Sequence, residues 1–254
     1  MENLLLEIAK CPNFITGAVV GNPCYEILSC QAGHIRQVPE PWNGNIKTAK
    51  ILFLSSNPSI GQNEMYPSFD DKEGSLTGDW NDDKVSNYFI NRFSKEHPYT
   101  KNYLYPQHIG GEYMSSWVRF WAAVRTIAKV ILEKTVTPGD DYALVEIVRC
   151  KSKEERGVDA ATNECVNRYL DSTISLSSAK IIICLGKKVE FAIRKKYNIS
   201  SIDNMNGENK IEEIQINDRK IMLLFLPHPN ARQKRNLFAL FNEEQLKIIR
   251  SVLS

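Results

Sequence analysis

No stretch of this 254-residue chain holds the run of about 20 apolar residues that a bilayer crossing requires, which excludes a helical membrane span. The start, Met1-Glu2-Asn3-Leu4-Leu5-Leu6-Glu7, lacks the cationic lead of a secretory signal, so the expectation is a cytoplasmic protein. An excess of one charge is missing too: 32 Lys and Arg against 30 Asp and Glu leave a formal net charge of +2. No global basic field announces nucleic acid, and any DNA contact has to come from local patches. Internal repeats, low-complexity tracts and linker-like stretches are also lacking, so residues 1–254 read as one domain. What is present is ordinary: 43% hydrophobic and 24% charged residues, enough for a globular core.

Cysteine is not scarce. The six are Cys11, Cys24, Cys30, Cys150, Cys165 and Cys184. In a reducing compartment a disulfide scaffold is not expected, which leaves metal or cluster ligation on one side and small buried hydrophobes on the other. Cys184 suits the second reading, since it lies inside Ile181-Ile182-Ile183-Cys184-Leu185; the other five have polar surroundings.

Short apolar runs bounded by turn chemistry predict buried strands at Lys50–Ser55, Tyr142–Val148, Lys180–Leu185 and Lys220–Leu226. Between them fall helical patterns at Ser115–Lys134, at Asn163–Leu176 behind a Thr162 cap with Glu164 in the first turn, at Lys187–Tyr197 and at Glu243–Val252. Strands alternating with helices imply an α/β fold with a parallel sheet covered on both faces. Residues Asp70–Tyr113 interrupt the rhythm and read as an irregular insertion, either a lid or substrate loop or a solvated excursion.

Two of the runs end in polar constellations: Ile51-Leu52-Phe53-Leu54 leads into Ser55-Ser56-Asn57-Pro58-Ser59, and Ile221 to Leu226 leads into Pro227-His228-Pro229-Asn230. In open α/β sheets ligands bind beyond the carboxyl ends of the strands, so Asn57 and His228 are expected to face one cleft. Alone, Asn57-Pro58 is an ordinary turn. His228 follows a buried strand directly and sits between two prolines that stiffen the backbone, which argues against an accidental core histidine.

The order of motifs is more telling than any one of them. Cys30-Gln31-Ala32-Gly33-His34-Ile35-Arg36 precedes the first strand; Ser56-Asn57-Pro58-Ser59 ends it; Val145-Glu146-Ile147-Val148-Arg149-Cys150 follows with Arg156 six residues on; then come Cys165, Ala179 to Lys187, and His228-Pro229-Asn230. From about Cys24 to Arg235 this order resembles the uracil-DNA glycosylase superfamily, particularly its iron–sulfur branch. The resemblance implies a three-layer α/β/α sandwich around a four-stranded parallel sheet. It also implies a monomeric, monofunctional glycosylase that cuts the base–deoxyribose bond of a nucleotide flipped out of DNA. Asn57 would position the attacking water and His228 would donate to the base O2. Ser56 and Pro58 would flank the base. Phe69, eleven residues after Pro58, would stack on it, with Tyr66 as competitor. Asn230, Arg232, Lys234 and Arg235 would meet DNA in the minor groove, where the cations neutralise phosphates.

Glu146 departs from the resemblance. Four residues before Cys150 the uracil-excising family carries Asn, which can both donate and accept. An ionised carboxylate only accepts and suits the exocyclic amine of cytosine rather than O4 of uracil. The expectation is therefore a cytosine-like base. Since excising ordinary cytosine would destroy the cell's own genome, a modified cytosine of foreign DNA, such as glucosylated hydroxymethylcytosine, follows as substrate, with anti-phage defence as the role. The alternatives are a uracil-DNA glycosylase of base-excision repair and a non-catalytic module that binds damaged DNA. For the cofactor, the resemblance implies a [4Fe–4S] cluster on Cys24, Cys30, Cys150 and Cys165. The first cysteine is displaced: Ile27 stands where the family has it, and Cys24 is the substitute. Zinc, or loss of the cluster, is the other outcome.

Overall fold

The computed structural model describes residues 1–31, 33–61, 63–94, 99–200, 210–231 and 237–253, without the side chains of 238 and 239. Its centre is a five-stranded sheet of β1 (Ile51–Ser55), β2 (Tyr142–Glu146), β3 (Ile181–Leu185), β4 (Ile211–Ile216) and β5 (Arg219–Leu226), in the order β2-β1-β3-β5-β4. β2, β1, β3 and β5 pair in parallel; β4 pairs antiparallel with β5. The expected four-stranded parallel sheet is thus corrected to a mixed sheet of five. β4 alternates polar and apolar residues from Glu213 to Ile216 (Glu213-Ile214-Gln215-Ile216), as an edge strand with one wet face does. The turn into β5 is Asn217-Asp218, both at positive φ (49° and 62°), the two-residue geometry that matches strand twist.

β1, β2 and β3 are buried at every position. Successive side chains of a strand point to opposite faces. Leu52, Leu54, Ala143, Val145 and Ile182 accordingly enter one core, and Ile51, Phe53, Tyr142, Leu144 and Ile183 enter the other. The second core is closed by helices Arg119–Leu132 (Trp121, Val124, Ala128, Ile131) and Glu243–Ser251 (Leu246, Ile249). The first is closed by Glu2–Ala9, Asp82–Asn91, Lys187–Lys196 and a helix running from Val158 to Leu176 with a π-helical stretch at Val166–Leu170. Helices on both faces of one sheet give three layers. Among the described residues no helix is long and apolar enough to cross a membrane.

Local expectations are amended at the ends. The Val158–Leu176 helix starts behind Gly157, not Thr162, whose hydroxyl instead donates to the Val158 carbonyl at 2.8 Å from inside the first turns. Gly157 has φ 74°, and a Cβ there would lie 2.3 Å from the Ile27 nitrogen, so only glycine fits. The helix expected from Ser115 begins at Arg119, leaving Trp117 outside it. Nor is 70–113 irregular throughout: Asn81 caps helix Asp82–Asn91 by accepting from the Lys84 amide at 2.9 Å, and Val85, Tyr88 and Phe89 are buried in the core.

Candidate active site

The sheet register brings four strand ends level. Ser55 of β1 is opposite Glu146 of β2, and Leu226 of β5 is opposite Leu185 of β3. Loops leaving these ends face the same space, a cavity of about 550 Å³. It is lined by Ser56, Asn57 and Pro58 after β1, by Glu146 at the end of β2, and by His228 and Asn230 after β5. Of the other residues expected there, Phe69 and Tyr66 are not in its wall. Phe69 is buried edge-on against Phe14 at 5.9 Å between centroids, and Tyr66 packs on Tyr88 and Phe89. Both are structural aromatics, and the expected stacking role is corrected. The aromatic that reaches the cavity beside His228 is Phe120, whose ring lies 5.7 Å from the imidazole and 17° from parallel. Its signal was weak, because it belongs to an amphipathic run whose other members are core. Arg232, Lys234 and Arg235 lie outside the described residues.

His228 is fixed by its own loop. Its Nδ1 accepts from the Asn230 amide at 3.2 Å, which puts the proton of the neutral ring on Nε2. Burial lowers the imidazole pKa, with an opposing push from Glu155, so the ring is a neutral Nε2–H donor at pH 7. Gly186, at φ 91°, passes under it; a Cβ there would stand 3.2 Å from the His228 Cβ and crowd the ring from below. Asn57 donates through Nδ2 to the Pro58 carbonyl at 3.0 Å, and its Oδ1 lies 3.4 Å from the Ser56 hydroxyl.

Glu146 is 6% exposed, and its Oε2 is buried with no hydrogen-bond partner among the described residues. Burial, and then the charge of Glu40, push its pKa well above the ordinary carboxyl value against the pull of a Ser55 hydrogen bond. Burial thus favours the protonated carboxyl more than in an ordinary Glu, and in that form the group has one donor and one acceptor. Rejection of uracil belongs to the ionised carboxylate; the protonated form offers an O–H that can meet O4. The nearby cations are engaged elsewhere, Arg149 with the Pro41 carbonyl and Thr173, Lys151 with Glu64.

The cavity floor is a set of buried ions that sequence reading missed, because its members come from unrelated loops. Arg92 binds Glu40 at 3.0 Å and also Glu64; Lys151 binds Glu64 at 2.9 Å; Tyr66 donates to Glu40 at 3.2 Å. Asn43 bridges Arg92 and Glu40, and Lys151 sits 3.6 Å above the Tyr66 ring. Burial alone would raise the Glu64 pKa, but the charges of Lys151 and Arg92 bring it below the ordinary value. One rim carries backbone strain: Glu154 and Glu155 both have positive φ, 56° and 58°, a conformation that costs on the order of 1–3 kcal/mol per residue. Bonds to the neighbouring loop hold this segment, with the Ser152 amide donating to the Pro58 carbonyl at 3.0 Å and the Ser152 hydroxyl to the Arg156 carbonyl at 2.7 Å.

Away from the cavity the thiols gather. Cys24 is hydrogen-bonded to Cys150 and Cys165, and the charge of Cys11 acts on Cys24 and Cys150. All four are buried. The Cys150 hydrogen bond, with burial, pushes the Cys24 thiol up to about 12. Cys30 is elsewhere, half-buried and donating to the Glu26 carbonyl at 3.2 Å. Of the four cysteines expected to act together, Cys30 stands apart from Cys24, Cys150 and Cys165, and Cys11 is the fourth thiol near them. Among the described residues no group of three or more His, Cys, Asp or Glu is arranged to hold a metal ion. The donor chemistry, four buried thiols, is that of soft-metal and iron–sulfur ligation; the Cys24 hydrogen bond and burial push the Cys165 thiol well up, and burial raises that of Cys150 against the pull of its Cys24 hydrogen bond.

A family model described as the uracil DNA glycosylase superfamily matches residues 41–250. The chain belongs to that superfamily. Its members are DNA N-glycosylases, and the matched span contains every cavity residue described above except Glu40. No curated protein matches the sequence.

Proposed function

We propose that this superfamily member hydrolyses the N-glycosidic bond of a flipped nucleotide and leaves an abasic site. The observation that carries the reading is that Asn57, Glu146 and His228, from three separate strand ends, line one cavity. In the proposed reaction the base enters edge-first toward Glu146, and Phe120 supplies an aromatic wall. Asn57 orients the water that attacks C1′. The neutral His228 offers its Nε2–H to O2 as charge develops there, the kind of preorganised donor that contributes most when water is excluded. The Asn230 loop meets the DNA backbone.

For the substrate we propose a modified cytosine such as glucosylated hydroxymethylcytosine of phage DNA, in an anti-phage role. Two features support it. A neutral Glu146 accepts from the cytosine amine and donates to its ring nitrogen. A dry cavity of about 150 Å³ already accommodates benzene, so about 550 Å³ exceeds what one ring requires. The same neutral Glu146 can pair with uracil, and this favours uracil repair as the second reading. Incubating the protein with glucosylated phage DNA and with uracil-containing DNA, then counting abasic sites, separates the two. Release from uracil DNA alone rejects the modified-cytosine substrate, and release from neither rejects the glycosylase.

For the cofactor we propose a [4Fe–4S] cluster on Cys11, Cys24, Cys150 and Cys165. It would be a structural staple that ties the N-terminal residues to the loop after β2. Iron and sulfide analysis with the visible thiolate-to-iron absorbance tests this: Cys11→Ser should bleach the protein and Cys30→Ser should not. Zinc in place of iron would overturn it.

A further inference from the structure

Asn57 poses a chemical problem that the structure addresses nearby. An amide orients a water but takes no proton from it, so a carboxylate beside that water would add general base catalysis. The Ser56 hydroxyl has one proton and two acceptors around it: Asn57 Oδ1 at 3.4 Å and Glu155 Oε1 at 3.3 Å. The amide oxygen and the carboxylate therefore flank the Ser56 hydroxyl on the cavity wall. Glu155 lines the cavity together with Asn57 and His228. Its other oxygen, Oε2, is 3.2 Å from Lys188, which also holds Asp159 at 2.8 Å. The left-handed pair Glu154-Glu155 presents the side chain there, and strained backbone of this kind clusters at working sites.

We propose that Glu155 is the general base of the reaction, doing from the loop after β2 what Asn57 cannot do from the loop after β1. The inference rests on the glycosylase reading. In the step, the water oxygen bonds to C1′ while the C1′–N bond breaks, and its electron pair departs with the base toward His228 Nε2–H. The proton shed by the water passes to the Glu155 carboxylate, directly or over the Ser56 hydroxyl, and from there through solvent to the departed base. Lys188 on Glu155 Oε2, Asp159 behind that lysine, the adjacent Glu154 and His228 are the other titratable groups on that side.

The test is single-turnover base release on whichever of the glucosylated or uracil DNAs the wild-type chain cleaves. General base catalysis contributes ~10²–10⁴-fold, so Glu155→Gln should slow release ~10²-fold and abolish the acid limb of the pH–rate profile. Lys188→Ala, which breaks the same ion pair, should keep the wild-type rate. Asn57→Asp in the Glu155→Gln background should recover rate by returning a carboxylate to the water. If Glu155→Gln matches the wild type in rate and pH profile, or Lys188→Ala reproduces its loss, the inference is overturned while the glycosylase reading stands. A wild-type chain that releases no base from either DNA overturns both.

Discussion

At the floor of the cavity the polar groups are tied across the chain, Arg92 to Glu40 over 52 residues and Lys151 to Glu64 over 87. At its mouth the ties are local: Asn57 donates to the next residue and His228 accepts from two residues on. The two carboxylates contrast in the same way. Two cations bring the Glu64 pKa below the ordinary value, whereas burial raises that of Glu146, which has one oxygen unpartnered among the described residues. The floor is a satisfied network whose loss leaves buried charge unpaired, a cost that falls on folding. The mouth keeps hydrogen-bonding capacity unspent inside the protein, which is what a site must do if a ligand is to take it up.

If this contrast holds, the largest effect comes from the floor. Arg92→Ala should lose about 3–5 kcal/mol of stability in chemical denaturation, because Glu40 and Glu64 are left buried without their cation. A small loss would mean that water reaches the floor and that it is not a framework. Next, His228→Ala should slow base release ~10²–10³-fold at an unchanged denaturation midpoint. Comparable damage to both would erase the distinction between floor and mouth.

Glu146→Gln sharpens the comparison through pH. A carboxyl whose folded pKa is raised contributes its stability fully below the unfolded pKa and loses it as pH rises toward the folded one. The variant should therefore match the wild type in acid and exceed it increasingly from about pH 4.3 upward, by at most about 1.4 kcal/mol per pH unit. Glu64, with its lowered pKa, has the opposite sign: its contribution is present above the ordinary Glu range and fades as pH falls through it. Urea titrations of wild type and Glu146→Gln across that range check both, and a constant offset would show Glu146 to be ionised. The smallest effect belongs to Phe69→Leu, an apolar swap away from the cavity, which should cost under about 1.5 kcal/mol of stability and leave base release untouched.

The strands were legible because a buried parallel strand writes itself as an unbroken apolar run, and β1, β2, β3 and β5 all do. β4 was not, since half its residues face solvent and its Asn217-Asp218 turn is a weak sign. Asn57, Glu146 and His228 stood out because each closes such a run. Phe69 had the right spacing but the wrong surroundings. Cys30 had a motif around it, whereas Cys11 had only its identity as a thiol.

The sequence by itself determined where the parallel strands run and which polar residues end them, because periodicity and turn chemistry act over a few residues. Only the tertiary structure decided what those residues are chemically. That the Glu146 pKa is raised, that Cys11 rather than Cys30 lies near the other thiols, and that Glu155 faces Asn57 across Ser56 all depend on burial and on neighbours dozens of residues away. Desolvation and Coulomb interaction act through space, and no local pattern in the chain records them.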